Sequence, residues 1–284
     1  GDFAGISGLP NLKNAFTGVY QSRYVSGVVA GMKLAELVKD GKLSASNYDA
    51  DGNILLGYVG AYPYAEVKSG LTSFFLGARS VCPSVTMDVK FTGSWYDEQA
   101  EKEAAQALIA GGCVLISQHA DSMGAPTACE NAGVPNVSYN GSTEAACPNT
   151  FIVSSRIDWA PYFEYIMNAV MNGEEIAVDW CEGFEVGSVK LTDINEKVAA
   201  KGTKEAIEDA KAKLIAGEIK VFDTDTFTVG GKKLDSYIAD VDTDANYEKD
   251  TEVIADGYFH ESEFRSAPYF DLQIDGITLL NSMF

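Results

Sequence analysis

The side chains best suited to chemistry stand in five short polar turns. They are Tyr64 in Gly60-Ala61-Tyr62-Pro63-Tyr64-Ala65-Glu66; Trp95, Tyr96 and Asp97 in Thr92-Gly93-Ser94-Trp95-Tyr96-Asp97; Gln118, His119 and Asp121 in Gln118-His119-Ala120-Asp121-Ser122; Asn140 in Asn140-Gly141-Ser142; and Asp158 with Trp159 in Ser155-Arg156-Ile157-Asp158-Trp159. Aromatic planes among amides, hydroxyls and a few charges suit a small, flat, polar molecule, with ring faces stacking and the rim taking hydrogen bonds. Trp95, Tyr96 and Trp159 would supply the faces, and Gln118, Asp121 and Asn140 the rim. Plainer roles compete, and Asp97 stands where a helix N-cap belongs. His119 and Asp121 have the composition of an acid–base pair, but no Ser or Cys nucleophile motif accompanies them. The sequence also lacks GxGxxG at a strand–helix turn, GxxxxGK[ST] and GxSxG. Binding without chemistry is therefore the first reading, and an α/β enzyme using His119 and Asp121 the weaker alternative.

These turns converge only if the segments between them form a parallel sheet. Apolar runs at 54–59, 86–91, 114–117, 137–139 and 150–154 read as buried strands. Helical periodicity separates them at 20–39, 66–79, 98–110 and 125–132, with Asp97 capping the third of these helices and Gly111-Gly112 ending it. Gly27 and Gly31 lower the propensity of the first helix but permit close packing. Strands alternating with helices predict an α/β fold whose sheet is covered on both faces, and ligands then sit beyond the carboxyl ends of the strands, where the five turns lie. An aromatic helix follows at 159–172, then strand-like segments at 176–180 and 187–191, an amphipathic helix at 203–216 and a strand at 222–228. The first 19 residues read as Gly-rich and irregular, and the tail to Phe284 as loop-rich and acidic.

Charge and composition exclude several classes. With 21 basic against 41 acidic residues the formal charge is −20; no basic face is available to displace counterions from nucleic acid or to adhere to anionic lipid. No run of 18 apolar residues is present, and Gly1-Asp2-Phe3 does not itself read as a secretory leader. Two distant histidines and five cysteines without a CxxC pair give no metal-ligand spacing, and no cofactor is indicated. Cys82 and Cys113 lie at the starts of two strands that begin at one sheet edge, and Cys129 and Cys147 near that same edge. In an oxidising compartment Cys82–Cys113 and Cys129–Cys147 are the candidate bridges, leaving Cys181 free, and five small buried thiols are the alternative.

The segments YQSRYVSGVVAG (20–31), GYVGAYPYAEVKSGLTSFFLGARSVCP (57–83), TGSWYDEQAEKEAAQALIAGGCVLISQHADS (92–122), GVPNVSYN (133–140), DWAPYFEYIMNAVMNGE (158–174) and WCEGFEVGSVKL (180–191) resemble, in this order, the basic membrane lipoprotein family of ABC-transporter substrate-binding proteins, whose members include purine nucleoside receptors. The resemblance implies a type I periplasmic-binding-protein fold: two α/β lobes joined by crossing strands, closing on a ligand by a hinge. It places residues 1–19 in a partial first lobe and hinge entry, 20–154 in the second lobe, and 155–284 in the return to the first lobe, the crossing strands and a C-terminal extension. It adds Trp180, Glu182 and Gly183 to the candidate ligand-binding residues. About three βα units, on the order of 90 residues, together with the family's lipid-bearing cysteine, would precede the segment matching residue 1. The family's nucleoside receptors carry aspartate where Asn140 stands here, so a purine nucleobase is expected as readily as a nucleoside. The implied partners are that solute and an ABC permease, with no nucleic acid and with membrane contact only through a lipid anchor not in this chain. The implied location is the periplasm or the outer face of the cell membrane. A sensor or receptor module of the same fold is the alternative output.

Overall fold

The computed structural model describes residues 3–241 and 248–281; the parts of the acidic tail at 242–247 and 282–284, and Gly1 and Asp2 of the opening segment, lie outside the described residues. A short helix α1 (Phe3–Ser7) and strand β1 (Asn14–Thr17) open the chain, where only irregular structure was expected. Four βα-type units follow: α2 (Val19–Lys39), β2 (Ile54–Gly60), α3 (Ala65–Val81), β3 (Val85–Phe91), α4 (Glu98–Ala110), β4 (Ile116–Gln118), α5 (Gly124–Ala132), β5 (Asn136–Tyr139) and β6 (Phe151–Ile157). Then come α6 (Ala160–Asn172), β7 (Asp179–Glu182), β8 (Val189–Leu191) and α7 (Thr203–Ile215). Short pairs β9 (Ile238–Ala239) with β10 (Thr251–Glu252) and β11 (Ile254–Ala255) with β12 (Tyr258–Phe259) precede β13 (Ile277–Leu279).

The main sheet has seven strands in the order β13-β3-β2-β4-β5-β6-β8, parallel except for the antiparallel β6–β8 edge. One face buries α2 and α3 with β2 and β3 side chains such as Leu56, Tyr58, Met87 and Val89; the other packs α4 and α5 through Ala104, Ala105, Leu108, Ala125 and Cys129. Two covered faces explain why the strands read as continuous apolar runs.

Helices α2 and α3 touch backbone to backbone. A Cβ on Gly27 would lie 2.0 Å from the Phe74 carbonyl oxygen, one on Gly77 2.0 Å from that of Tyr24, and one on Gly31 2.5 Å from that of Ala78. Three positions without a side chain thus let the two helices close on each other.

The segment 222–228 is not a strand. Its backbone forms only an isolated bridge at Asp223, and Phe222 and Phe227 instead drop into the α2/α3-side core. There Phe222 stacks on Phe270 at 4.4 Å and meets Phe259 edge-on at 6.2 Å. Within 155–284, β8, α7, this aromatic tail and β13 all pack on the sheet built by the earlier strands, while β7 pairs in parallel with β1 in a separate two-stranded sheet beside α6. Tyr162 of α6 packs on Trp180 of β7 at 4.9 Å, leaving Phe163, Met167, Val170 and Met171 exposed. Among the described residues no helix is long and apolar enough to cross a membrane.

All five cysteines are free in this structure, which contains neither candidate bridge. Cys82 ends α3 on the α2/α3 side of the sheet, whereas Cys113 packs into the α4/α5 side beside Gly57; the sheet stands between them. Cys129 and Cys147 are both fully buried neighbours, each holding its proton more tightly than a free thiol because of burial, with a Cys147 thiolate further raising Cys129.

Candidate functional site

The carboxyl ends of β2, β4, β5 and β6 open onto a cleft of about 300 Å³ lined by Glu66, Trp95, His119, Asp121, Tyr139, Asn140, Ile157 and Trp159. The turns are tied to one another. The Asp121 N–H donates to the Trp95 carbonyl at 3.1 Å, that of Asn140 to the Ser155 carbonyl at 2.8 Å, and that of His119 to the Val59 carbonyl at 2.8 Å. Asn140 holds φ at +64°, a left-handed conformation that its short amide tolerates better than most residues, and from there its Nδ2 donates to Asp121 Oδ1 at 2.9 Å. Glu101, fully buried, accepts from the backbone N–H groups of Asp97 and Ser122, joining the start of α4 to the turn after β4.

The walls are aromatic. Trp95 is 37% and Trp159 36% exposed, and both line the cleft. Tyr62 and Tyr64 stack at 5.0 Å, with Tyr62 5.6 Å from Trp95, extending the wall outwards. Two carboxyl groups stand at the rim. Burial raises Asp121 above its ordinary value, offset in part by Asn140; burial and then the Asp121 charge raise Glu66. His119 forms the floor and is held well below the usual imidazole range by burial and the Arg23 charge.

Of the residues singled out in the sequence, Trp95, His119, Asp121, Asn140 and Trp159 meet in this cleft. Others do not line it. Asp97 caps α4, accepting from the Ala100 N–H at 2.9 Å. Tyr96 points to solvent at 66% exposure, and Tyr64 stands one ring further out. The Gln118 side chain turns inward, its Oε1 accepting from Asn136 Nδ2 at 2.9 Å. Asp158 accepts from the Ala160 N–H and from Lys190 Nζ at 2.6 Å, and the lysine holds its carboxyl below the usual range. Trp180 packs under α6. Glu182 and Gly183 line a second, acidic cleft of about 260 Å³ with Cys181, Glu185, Glu261 and Glu263, where Gln21 Oε1 sits so near Gly183 that a Cβ would be 2.2 Å away. Glu66, Tyr139 and Ile157 complete the first cleft without having been singled out. Tyr139 ends its strand and Glu66 opens the helix after β2, positions the topology points to; Ile157 was hidden because β6 runs three residues past its expected end. Among the described residues no group of three or more His, Cys, Asp or Glu could hold a metal ion.

Residues 4–225 match the family of PnrA-like ABC transporter substrate-binding proteins, and the chain belongs to that family. It is 30% identical over 236 residues to the purine-binding protein BAB2_0673 of Brucella abortus, covering 78% of this chain and 63% of that protein. It is 28% identical over 204 residues to the putative ABC transporter glucose-binding protein TsgA13 of Haloferax volcanii, covering 72% of this chain and 48% of that one. The chain therefore spans about half to two thirds of the length of these relatives. A solute-binding protein of an ABC transporter system from Aeropyrum pernix superposes with a TM-score of 0.61 at 17% identity, covering 75% of this chain and 66% of that one. The fold is that of the type I periplasmic binding proteins, and the family is one of solute binders rather than enzymes.

Proposed function

We propose that this protein captures a purine nucleobase or nucleoside between two lobes outside the cytoplasmic membrane and delivers it to an ABC permease. The observation that carries the reading is the cleft itself: Trp95 and Trp159 line it together with the bonded pair Asp121–Asn140. Two indoles lining one cleft suit a planar heterocycle, and the amide–carboxylate pair supplies both donors and acceptors to its edge. In this reading the seven-stranded sheet is one lobe, β1, α6 and β7 belong to the other, and the chain crosses near Gly18 and Ile157. The purine-binding relative supports the choice of solute.

A sugar is the second reading, favoured by the relative described as glucose-binding and by the carboxyl groups of Glu66 and Asp121 at the rim. Isothermal titration of the full-length protein with adenine, guanine, adenosine, guanosine, inosine and riboflavin, against glucose and amino acids, separates them. Stoichiometric heat from a purine is the expected result. Heat from glucose or an amino acid alone would overturn the proposal.

A further inference from the structure

The floor of the cleft contains a buried cation that no carboxylate balances. Arg23 of α2 is 0% exposed and, among the described residues, forms no ion pair. Its Nη1 donates to Ser155 Oγ at 3.1 Å and its Nη2 to the Gln118 carbonyl at 2.8 Å and to the Tyr58 hydroxyl. The guanidinium lies 5.2 Å from the Tyr58 ring and 5.1 Å from that of Tyr139, so ring faces do part of what a counter-ion would do. Burying an arginine this way is costly, and one of its partners, the Tyr58 hydroxyl, also reaches the group beneath the ligand cleft.

That group is His119. Its Nδ1 lies 3.4 Å from the Tyr58 hydroxyl. Arginine can only donate, so the Tyr58 oxygen accepts from Arg23 and has a single proton left to give. The acceptor within reach is His119 Nδ1. An imidazole that accepts at Nδ1 carries its proton on Nε2. The ring is tightly enclosed: its centroid lies 4.6 Å from that of Tyr139 at a tilt of 45°, and its Nδ1 and Cε1 sit where a Cβ on Gly70 would be only 2.9 Å away. Nε2 is buried, has no hydrogen-bond partner, and belongs to a residue that lines the cleft.

We infer that Arg23 and Tyr58 lock His119 as a neutral donor aimed through Nε2 into the cleft, so that the ligand presents an in-plane hydrogen-bond acceptor, a ring nitrogen or a carbonyl oxygen, to that atom. The inference rests on the proposal that this cleft takes the ligand, and it adds which edge of a heterocycle goes down first. Arg23 and Tyr58 are positioning residues, because they reach the ligand only through the imidazole. Groups that face the ring are Arg23 from α2, Tyr58 from β2, Glu66 from α3, Asp121 from the turn after β4 and Tyr139 from β5. Arg23 is the one positive charge among them, and with burial it opposes a second positive charge on the ring.

The test uses full-length protein labelled with ¹⁵N-histidine, carrying His260→Gln if the remainder of the protein adds no other histidine, so that the His119 imidazole is observed alone. The expected spectrum shows a protonated Nε2 and a bare Nδ1, unchanged on acidification well below the usual imidazole pKa, and Tyr58→Phe gives a mixture of tautomers. An imidazolium at neutral pH, or a proton on Nδ1 in the wild-type protein, would overturn the inference. Adenine, guanine and their deaza analogues, each with one ring nitrogen replaced by C–H, then probe the acceptor. One analogue should bind about tenfold more weakly than its parent to wild type, the cost of leaving a buried donor unpaired, and equally well to His119→Phe. Analogues that all bind alike would overturn the acceptor assignment. If no purine binds at all, the purine reading fails, while the tautomer spectrum still decides the state of His119.

Discussion

Two clefts of this molecule are built from opposite materials. At the carboxyl ends of β2, β4, β5 and β6 the walls are indole and phenol rings, and the turns are bonded to one another through Asn140–Asp121, Trp95–Asp121 and Asn140–Ser155. Beside β1 and β7 the walls are carboxyl groups, with Glu182, Glu185, Glu261 and Glu263 around Cys181. In the first, the charges are few and spaced; in the second, burial and then Glu185 push Glu182 up to about 7, and burial pushes Glu261 to about 7. A fixed, aromatic, weakly charged recess can select a neutral ring. A crowded acidic one holds protons at neutral pH and so changes charge with small changes of pH. On the proposed function, recognition falls to the first cleft, while the second is where charge follows pH.

The strongest challenge to this division is Glu261. Its Oε2 accepts from the N–H groups of Tyr269 and Phe270, at 3.2 and 2.9 Å, so a carboxyl oxygen is needed there but a charge is not. A carboxyl whose folded pKa lies above its unfolded value favours the folded state fully while protonated, and that contribution is lost as pH rises from the unfolded pKa to about 7. Wild-type protein should be more stable near pH 5 than near pH 8, with Glu261 contributing on the order of 3 kcal/mol to the difference. Glu261→Gln keeps the acceptor and should flatten the profile. Urea titrations at several pH values measure both; equal slopes for the two proteins would remove Glu261 from the account.

Next in size are the indoles. Trp159→Ala and Trp95→Ala should each cost about 1–3 kcal/mol of binding, the range for a ring stacked on a base, with little change in melting temperature because both side chains are more than a third exposed. Calorimetric titration paired with thermal melts reads the two effects separately. Full affinity in both variants would move recognition away from this cleft.

Asn140 gives a smaller and more diagnostic effect. Asn140→Ala loses the Asp121 bond and strains a left-handed backbone, about 1–2 kcal/mol for the conformation. Asn140→Gly loses the bond alone. Glycine should restore most of the stability that alanine removes but not the ligand affinity. If glycine restores both, the Asn140–Asp121 bond has no part in the rim.

The smallest expected change concerns Cys129 and Cys147. They are buried neighbours with elevated thiol pKa values, and they are the pair to watch if the protein matures in an oxidising compartment. Thiol titration of the denatured, unreduced chain 1–284 should find five free thiols, as in the structure, whereas three would show that this pair bridges after folding.

Much of the main sheet was legible because each strand from β2 to β6 is a short apolar run bounded by a helix with a clear start or stop, Asp97 and Gly111 being the plainest. What could not be read depended on distant partners. The strand β1 forms only by pairing with β7, some 160 residues on, and β13 is three residues of an acidic tail that happen to reach β3. Segment 222–228 alternates like a strand, yet Phe222 and Phe227 are drawn into an aromatic cluster with Phe259 and Phe270 that only the folded tail supplies. In the site, spacing located the turns but not the rotamers. Gln118 and His119 are adjacent, and it is Asn136 on the neighbouring strand that turns one inward while the other lines the cleft.

The contact between α2 and α3 carries a constraint on how this sequence can drift. Most tight packing is negotiable, because a bulkier residue on one side can be offset by a smaller one opposite. At Gly27 and Gly77 the opposing atoms are the carbonyl oxygens of Phe74 and Tyr24. These belong to the main chain, which no codon change can trim. Neither glycine has a compensating partner, and because Arg23 lies one turn before Gly27 and Gly70 two turns before Gly77, the geometry beneath the ligand inherits that intolerance.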